Sequence, residues 1–199
     1  MPITLEITDN ARPAMKQLTA GLSSPEFRGD IGRSVADCVR SHLAGLPPNK
    51  YGYPTTGFWQ RAALATKSEV LPDGVSVSID QVGVRQRYLG GPINPVRARR
   101  LTIPAKAEAY GHAATEFWNL KIVRAASPLT QHPALALAPR DTKPGPGGFV
   151  DADSVYYWLV GGVWQQPDPG VLPDDSELHA AALNGALNYL SRLTQGTTR

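Results

Sequence analysis

Lys67-Ser-Glu-Val-Leu-Pro-Asp-Gly-Val-Ser-Val-Ser-Ile-Asp80 is the stretch that decides the fold class. Val75, Val77 and Ile79 alternate with Ser76, Ser78 and Asp80, the period-two pattern of a strand with one covered face. Pro72-Asp73-Gly74 stands in front of it. Proline presets φ at the first turn position, aspartate bonds its own backbone, and glycine accepts positive φ. Two strands, at 67–71 and 75–80, joined by a tight turn are therefore predicted.

Working outward, the flanks are helical. Over residues 26–45, Ile31, Val35, Cys38, Val39, His42, Leu43 and Leu46 recur every three or four positions, which gathers them on one helix face. Arg28, Asp30, Arg33, Asp37 and Arg40 fall on the remainder and are expected in water. Ser23-Ser24-Pro25-Glu26 is a helix start, and Gly45, Pro47 and Pro48 end the helix. An earlier helix, with Pro13 in its first turn and Asp9 or Asn10 as cap, ends at Gly21. It follows a short strand at 2–8 in which Ile3, Leu5 and Ile7 share a side. A short aromatic helix near 57–66, capped by Thr55 or Thr56, carries Phe58 and Trp59, which are read as packing residues. Downstream, strands are predicted at 101–103, 118–124 and 155–164, the last buried. A final helix at about 175–194, capped by Asp174 or Asp175, has an apolar stripe of Leu178, Ala182, Ala186, Tyr189, Leu190 and Leu193. The sum is an α+β fold: an antiparallel or mixed sheet packed with N-terminal helices and a C-terminal helix. Residues 1–199 are expected to form a single domain with projecting loops at about 46–57, 83–100 and 126–150.

Composition narrows the function classes. Nineteen glycines and eighteen prolines make nearly one residue in five of 199, against a usual ~12%. That excludes a long bundle or coiled coil. One cysteine, Cys38, excludes an internal disulfide framework and a cysteine-built zinc site. Its place on the apolar helix face makes it a buried structural thiol. Met1–Asn10 lacks a charged region followed by an apolar stretch, so no signal peptide is expected. The ten-residue run Val155–Trp164 is too short to span a membrane, which needs about 20 residues.

Residue spacing carries no catalytic signature. His42, His112, His132 and His179 never pair at metal-ligand intervals, and neither an H-E-x-x-H nor a G-x-S-x-G motif occurs. Gly145, Gly147 and Gly148 lack the lysine and hydroxyl of a phosphate loop. No enzyme activity, metal or cofactor is expected.

Charge is unevenly distributed within a net +3. Residues 81–107 carry Arg85, Arg87, Arg97, Arg99, Arg100 and Lys106 without one acid. Residues 150–199 carry six acids, Asp174, Asp175 and Glu177 among them, against Arg192 and Arg199. Arginines near Tyr88 could grip nucleic-acid phosphates and stack on bases. A loop that salt-bridges to an acidic neighbour is the simpler reading and is preferred, because interleaved aromatics and a helix-turn-helix pattern are absent.

An ordered set of segments carries a resemblance. Thr56-Gly-Phe-Trp-Gln-Arg-Ala-Ala63 is followed by Tyr88-Leu-Gly-Gly-Pro-Ile-Asn-Pro95, Leu101-Thr-Ile-Pro104 and Ala113-Ala-Thr-Glu-Phe117. Then come Tyr157-Trp-Leu-Val160, Gln165-Gln-Pro-Asp-Pro169 and the terminal helix. Together they resemble the virion-morphogenesis, or tail-completion, proteins of Mu-like and P2-like tailed phages. His42-Leu43 stands where that group has a His-Phe helix end, and the loop at 46–55 has fewer charges than is usual there. The resemblance spans residues 28–195. It implies a non-enzymatic component of the virion at the head–tail junction, assembled in the host cytoplasm. Such proteins form rings, commonly hexamers, that cap or join the tail tube. Implied partners are further copies of the chain, tail-tube or neck proteins, and DNA passing through the channel, with no membrane. A neck stopper or adaptor, or an assembly factor that touches nucleic acid, is the alternative. On this reading Arg85, Arg87, Tyr88, Arg97, Arg99 and Arg100 form one side of a subunit or partner interface. Asp174, Asp175 and Glu177 form the other, since a head-to-tail ring contact needs both signs on each copy.

Overall fold

A computed structural model describes residues 11–47, 57–126 and 132–195. The strand expected at 2–8 and the caps expected at Asp9, Asn10, Thr55 and Thr56 lie outside the described residues. The fold is α+β, with N-terminal helices, antiparallel sheets and a C-terminal helix. The chain divides into two compact units. The first comprises Met1–Gly45, Ala62–Gln81 and Leu172–Arg199; the second comprises Leu46–Arg61 and Val82–Val171. The division falls within the short helix α3, Phe58–Leu64.

In the first unit, α1 (Ala11–Leu22), α2 (Pro25–Gly45) and α5 (Asp175–Gln195) accompany a hairpin of β1 (Thr66–Val70) and β2 (Val75–Ile79). Ser24 caps α2, its hydroxyl accepting from the Phe27 N–H at 3.1 Å, with Pro25 at the first helical position. The hairpin sits where the sequence puts it, with Val70 opposite Val75 and Ser68 opposite Val77. Its first strand begins one residue earlier than expected, because Thr66 is held from both sides. Its hydroxyl donates to the Ala62 carbonyl at 3.0 Å, and its carbonyl accepts from Arg40 Nη2 at 2.8 Å.

The face of α2 differs from the apolar stripe. Val39 and Leu43 are buried, as the stripe requires, but so are Asp30, Gly32 and Ala36. The reason is that α2 is covered by α5 and by the hairpin together. A methyl group on Gly32 would come within 2.6 Å of a Val75 methyl. A methyl group on Gly185 of α5 would meet the Asp30 carbonyl oxygen and the Ile31 Cα at 2.8 Å each. Both glycines are therefore spacers that let backbone approach its neighbour. Asp30, expected in water, is only 6% exposed. It is held by ion pairs from Arg33 on its own helix to Oδ1 and from Arg192 on α5 to Oδ2.

In the second unit, an antiparallel sheet runs in the order β4 (Leu101–Pro104), β7 (Tyr157–Val160), β6 (Pro133–Pro139), β5 (Leu120–Ala126). One face holds a core of Ala125, Ala136, Val150, Val155 and Trp158. β6 falls where no strand was expected. Its sequence Pro-Ala-Leu-Ala-Leu-Ala-Pro alternates small against large rather than apolar against polar, so a period-two polarity search passes over it. The alanines face the core because Ala136 lies opposite the indole of Trp158, where a larger side chain would not fit.

The single strand expected at 155–164 is two. β7 stops at Val160, Gly161 and Gly162 interrupt, and β8 (Val163–Gln165) pairs instead with β3 (Gly91–Ile93). A Cβ at Gly162 would crowd Asn94 Oδ1 at 2.7 Å and the Ile93 carbonyl oxygen at 3.3 Å, so either the Asn94 side chain turns or the position stays glycine. Trp164, placed by sequence in a buried strand, is consequently 67% exposed.

Gly185→Ala should destabilise the protein by about 1–3 kcal/mol through overpacking. Gly32→Ala should cost less, since a valine side chain can turn away and helix backbone cannot. Urea denaturation of the two variants measures the order; equal losses would mean that the α2–α5 contact is looser than described.

Candidate interaction surface

The basic stretch does not form one loop. Gly83, at φ +98°, starts a short helix α4 (Val84–Leu89), and Gly90, at φ +69°, ends it. Gly90 is constrained twice, since a Cβ would also lie 2.6 Å from the Pro167 nitrogen. The Asp168 N–H donates to the Arg87 carbonyl at 3.1 Å. Two of the segments that carry the phage resemblance, 88–95 and 165–169, are thus packed on one another through β3 and β8. The sequence offered no reason to pair them.

This arrangement splits the arginines. Arg87 is occupied: its guanidinium carbon lies 5.7 Å from the Phe58 ring centroid and 5.6 Å from that of Trp59. Such contacts contribute about 0.5–1 kcal/mol at exposed sites. Phe58 and Trp59 pack edge to face at 4.8 Å, and Trp59 is buried, in keeping with the packing role read from the sequence. Tyr88 is half out of the surface, and Arg85 is exposed.

Arg97, Arg99 and Arg100 stand apart, on the arm between β3 and β4. Every residue from Val96 to Arg100 is exposed, Val96 to 94%. Among the described residues, no ion pair or hydrogen bond engages the side chains of Arg85, Arg97, Arg99 or Arg100. An arginine held in such an arm keeps five N–H donors available to a partner. The salt bridges expected of the basic segment are thus absent from the described part of its own chain. Trp164, on β8 opposite Pro92, adds an exposed aromatic to the β3–β8 ribbon from which the arm leaves. Exposed Trp164 and Trp118 (87%) were not singled out by sequence, because a tryptophan in an apolar run reads as core.

The acidic residues have local work. Asp174 caps α5: its Oδ1 accepts from the Glu177 N–H at 2.9 Å and from the Ser176 hydroxyl at 2.7 Å. The Asp174 N–H donates to Glu177 Oε2 at 3.2 Å, completing a reciprocal capping box. The Ser176 hydroxyl, then the backbone N–H groups, hold the Asp174 carboxyl below its ordinary range. Asp175 is exposed and makes no ion pair among the described residues.

Groups able to do chemistry are few. The Cys38 thiol is pushed up by burial and by the charges of Glu177 and Asp174, which disfavours a thiolate nucleophile. Among the described residues no group of three histidine, cysteine or acidic side chains could hold a metal ion. His112 Nδ1 lies 2.8 Å from Glu116 Oε2, and Glu116 Oε1 accepts from the Ala113 N–H at 2.7 Å. That pair braces the segment lying over Tyr157, whose buried hydroxyl donates to the carbonyls of Ala109 and His112 at 3.1 and 3.0 Å. No serine, threonine or cysteine hydrogen-bonds to His112 among the described residues, so its partners describe a brace. No helix among the described residues is long and apolar enough to cross a membrane.

No family model matches the chain, and no curated protein or solved structure matches it.

The Ala113 N–H, then His112, lowers the Glu116 carboxyl pKa. Its stabilising contribution is therefore complete above the ordinary glutamate pKa and is lost as pH falls through the lowered one. Side-chain NMR titration of Glu116 should show the depressed midpoint, and His112→Ala should raise it while leaving it below the ordinary value. An unchanged midpoint in that variant would show that His112 takes no part.

Proposed function

We propose that the chain is a non-enzymatic structural subunit of a tailed-phage virion, forming a ring at the head–tail junction or tail top. The observation that carries this reading is the Val96–Arg100 arm. Three guanidiniums are held out on an exposed segment without an acidic partner among the described residues. Arginine is weakly hydrated and forked, and it is enriched where proteins meet. An arm of this kind is suited to a carboxylate supplied by another molecule.

Two further features support it. The segments that resemble the tail-completion proteins include the paired strands β3 and β8, from which the arm departs. The first turn of α5 presents Asp174, Asp175 and Glu177, all exposed, as an anionic counterpart on the same chain. A copy that carries both signs on different segments can join head to tail, and such a contact closes into a ring when the rotation permits. Of the three acids, Asp175 is the one with no ion pair or hydrogen bond to its side chain among the described residues. Asp174 and Glu177 are committed to the cap and add charge.

Charge reversal at Arg97, Arg99 and Arg100 together should abolish assembly, leaving a folded monomer by light scattering and circular dichroism. The fold should persist because none of these side chains touches the core. Asp175→Arg should weaken assembly in the same direction, with the cap left intact. A triple variant that assembles like the parent would overturn the reading. If the isolated protein binds duplex DNA with a log–log salt slope near −3, the arm meets phosphates instead.

A further inference from the structure

The groove between α2 and α5 in the first unit is built around a buried carboxylate. Asp30 is 94% covered, and its two oxygens are each met by a different arginine. The nearest contact of each guanidinium is through Nη2. Among the described residues no hydrogen bond engages the Nε or Nη1 donors of either arginine, which leaves those donors for a ligand. Both arginines remain largely exposed, at 64% and 63%, and both line a groove of about 230 Å³.

The rest of the lining is polar. Ser34 contributes a hydroxyl and Asn188 an amide. Asp37 also lines the groove, but its Oδ1 is taken by Arg40 Nη1 at 2.6 Å. With Arg40 included, the charges around the groove leave one unit of positive charge. Asp30 draws two arginines to one carboxylate, a proximity that two free surface arginines would avoid by mutual repulsion.

We infer that this groove binds a phosphate-class oxyanion, seated on the unused donors of Arg33 and Arg192 with Ser34 and Asn188 as further donors. A tetrahedral oxyanion suits the two forks because it offers each of them two oxygens in different directions. A planar carboxylate has only two oxygens to divide between them. Asp30 acts as a positioning residue: it draws the guanidiniums together and does not touch the ligand. The site is separate from the arginine arm and does not depend on the ring assignment.

The test is an NMR titration of the whole protein with inorganic phosphate and, separately, glycerol phosphate, against chloride at equal ionic strength. Saturable shifts are expected at the backbone amides of Gly185 and Asn188 and at the Asn188 side-chain amide. Tighter binding of the ester identifies a phosphate ester as the ligand, and equal binding identifies free phosphate. Removing Arg33 or Arg192 strands a buried carboxylate and risks the fold, so the decisive variant is Asn188→Asp. It adds a negative charge to the groove wall at an exposed position and leaves the ion pairs in place. It should weaken phosphate binding by about tenfold or more while the melting temperature holds. Failure of the native protein to show saturable shifts at these amides overturns the site. So does unchanged binding by the folded Asn188→Asp protein.

Discussion

The close approach of α5 to α2 at Gly185 is the constraint on which the first unit depends. With backbone atoms of Asp30 and Ile31 standing 2.8 Å from where a Cβ would be, the two helices can meet only where one of them has no side chain. That approach brings Arg192 to Asp30, and the ion pair then compensates a carboxylate that would otherwise be buried at a cost of several kcal/mol. The balance is asymmetric. Asp30 is buried and its arginines are exposed, so losing the acid leaves two hydrated cations, whereas losing both bases leaves a stranded anion. Gly21 of α1 repeats the device on a smaller scale, against Leu193 and Tyr189 of α5. On the other side of α2, Gly32 admits Val75, so the hairpin is seated by the same means.

The second unit is organised by volume rather than by a spacer glycine. Trp158 occupies the sheet core, with Ala136 of β6 opposite it on one side and Ile103 of β4 on the other. Large leucines are left to the opposite face, where Tyr157 is fixed by two carbonyls. Gly161 and Gly162 then let the chain leave this sheet and form the β3–β8 ribbon. Because that ribbon is short and Gly90 presses against Pro167, the arm that follows β3 emerges from a fixed point.

Much of the fold was legible because its signals were local. The Ser24-Pro25 start of α2 and the Asp174-x-x-Glu177 cap act through side chains bonding to backbone within three residues, and the Pro-Asp-Gly turn through the Leu71 N–H donating to the Gly74 carbonyl at 2.9 Å. The strands expected at 101–103 and 118–124 are found at 101–104 and 120–126, within two residues. β6 was hidden because its alternation is one of size. The helix α4 was hidden because six residues between two glycines are too few to show a period. At the candidate surface, the clustering of arginines was visible in the sequence, but the distinction between Arg87, stacked on Phe58 and Trp59, and Arg97, Arg99 and Arg100, which have no ion-pair partner among the described residues, was not.

The sequence by itself determined the α+β class, the two long helices and their caps, the hairpin, and the separation of basic from acidic segments. Those features follow from periodicity, capping chemistry and charge, all of which act over a few residues. The tertiary structure decided which charges are spent and which are left. It buried Asp30 between Arg33 and Arg192, exposed Trp164, paired β3 with β8, and left the arm without an acid among the described residues. These outcomes depend on which elements approach closely. Closeness here was set by glycines and alanines, whose missing atoms make no pattern until a neighbour occupies the space.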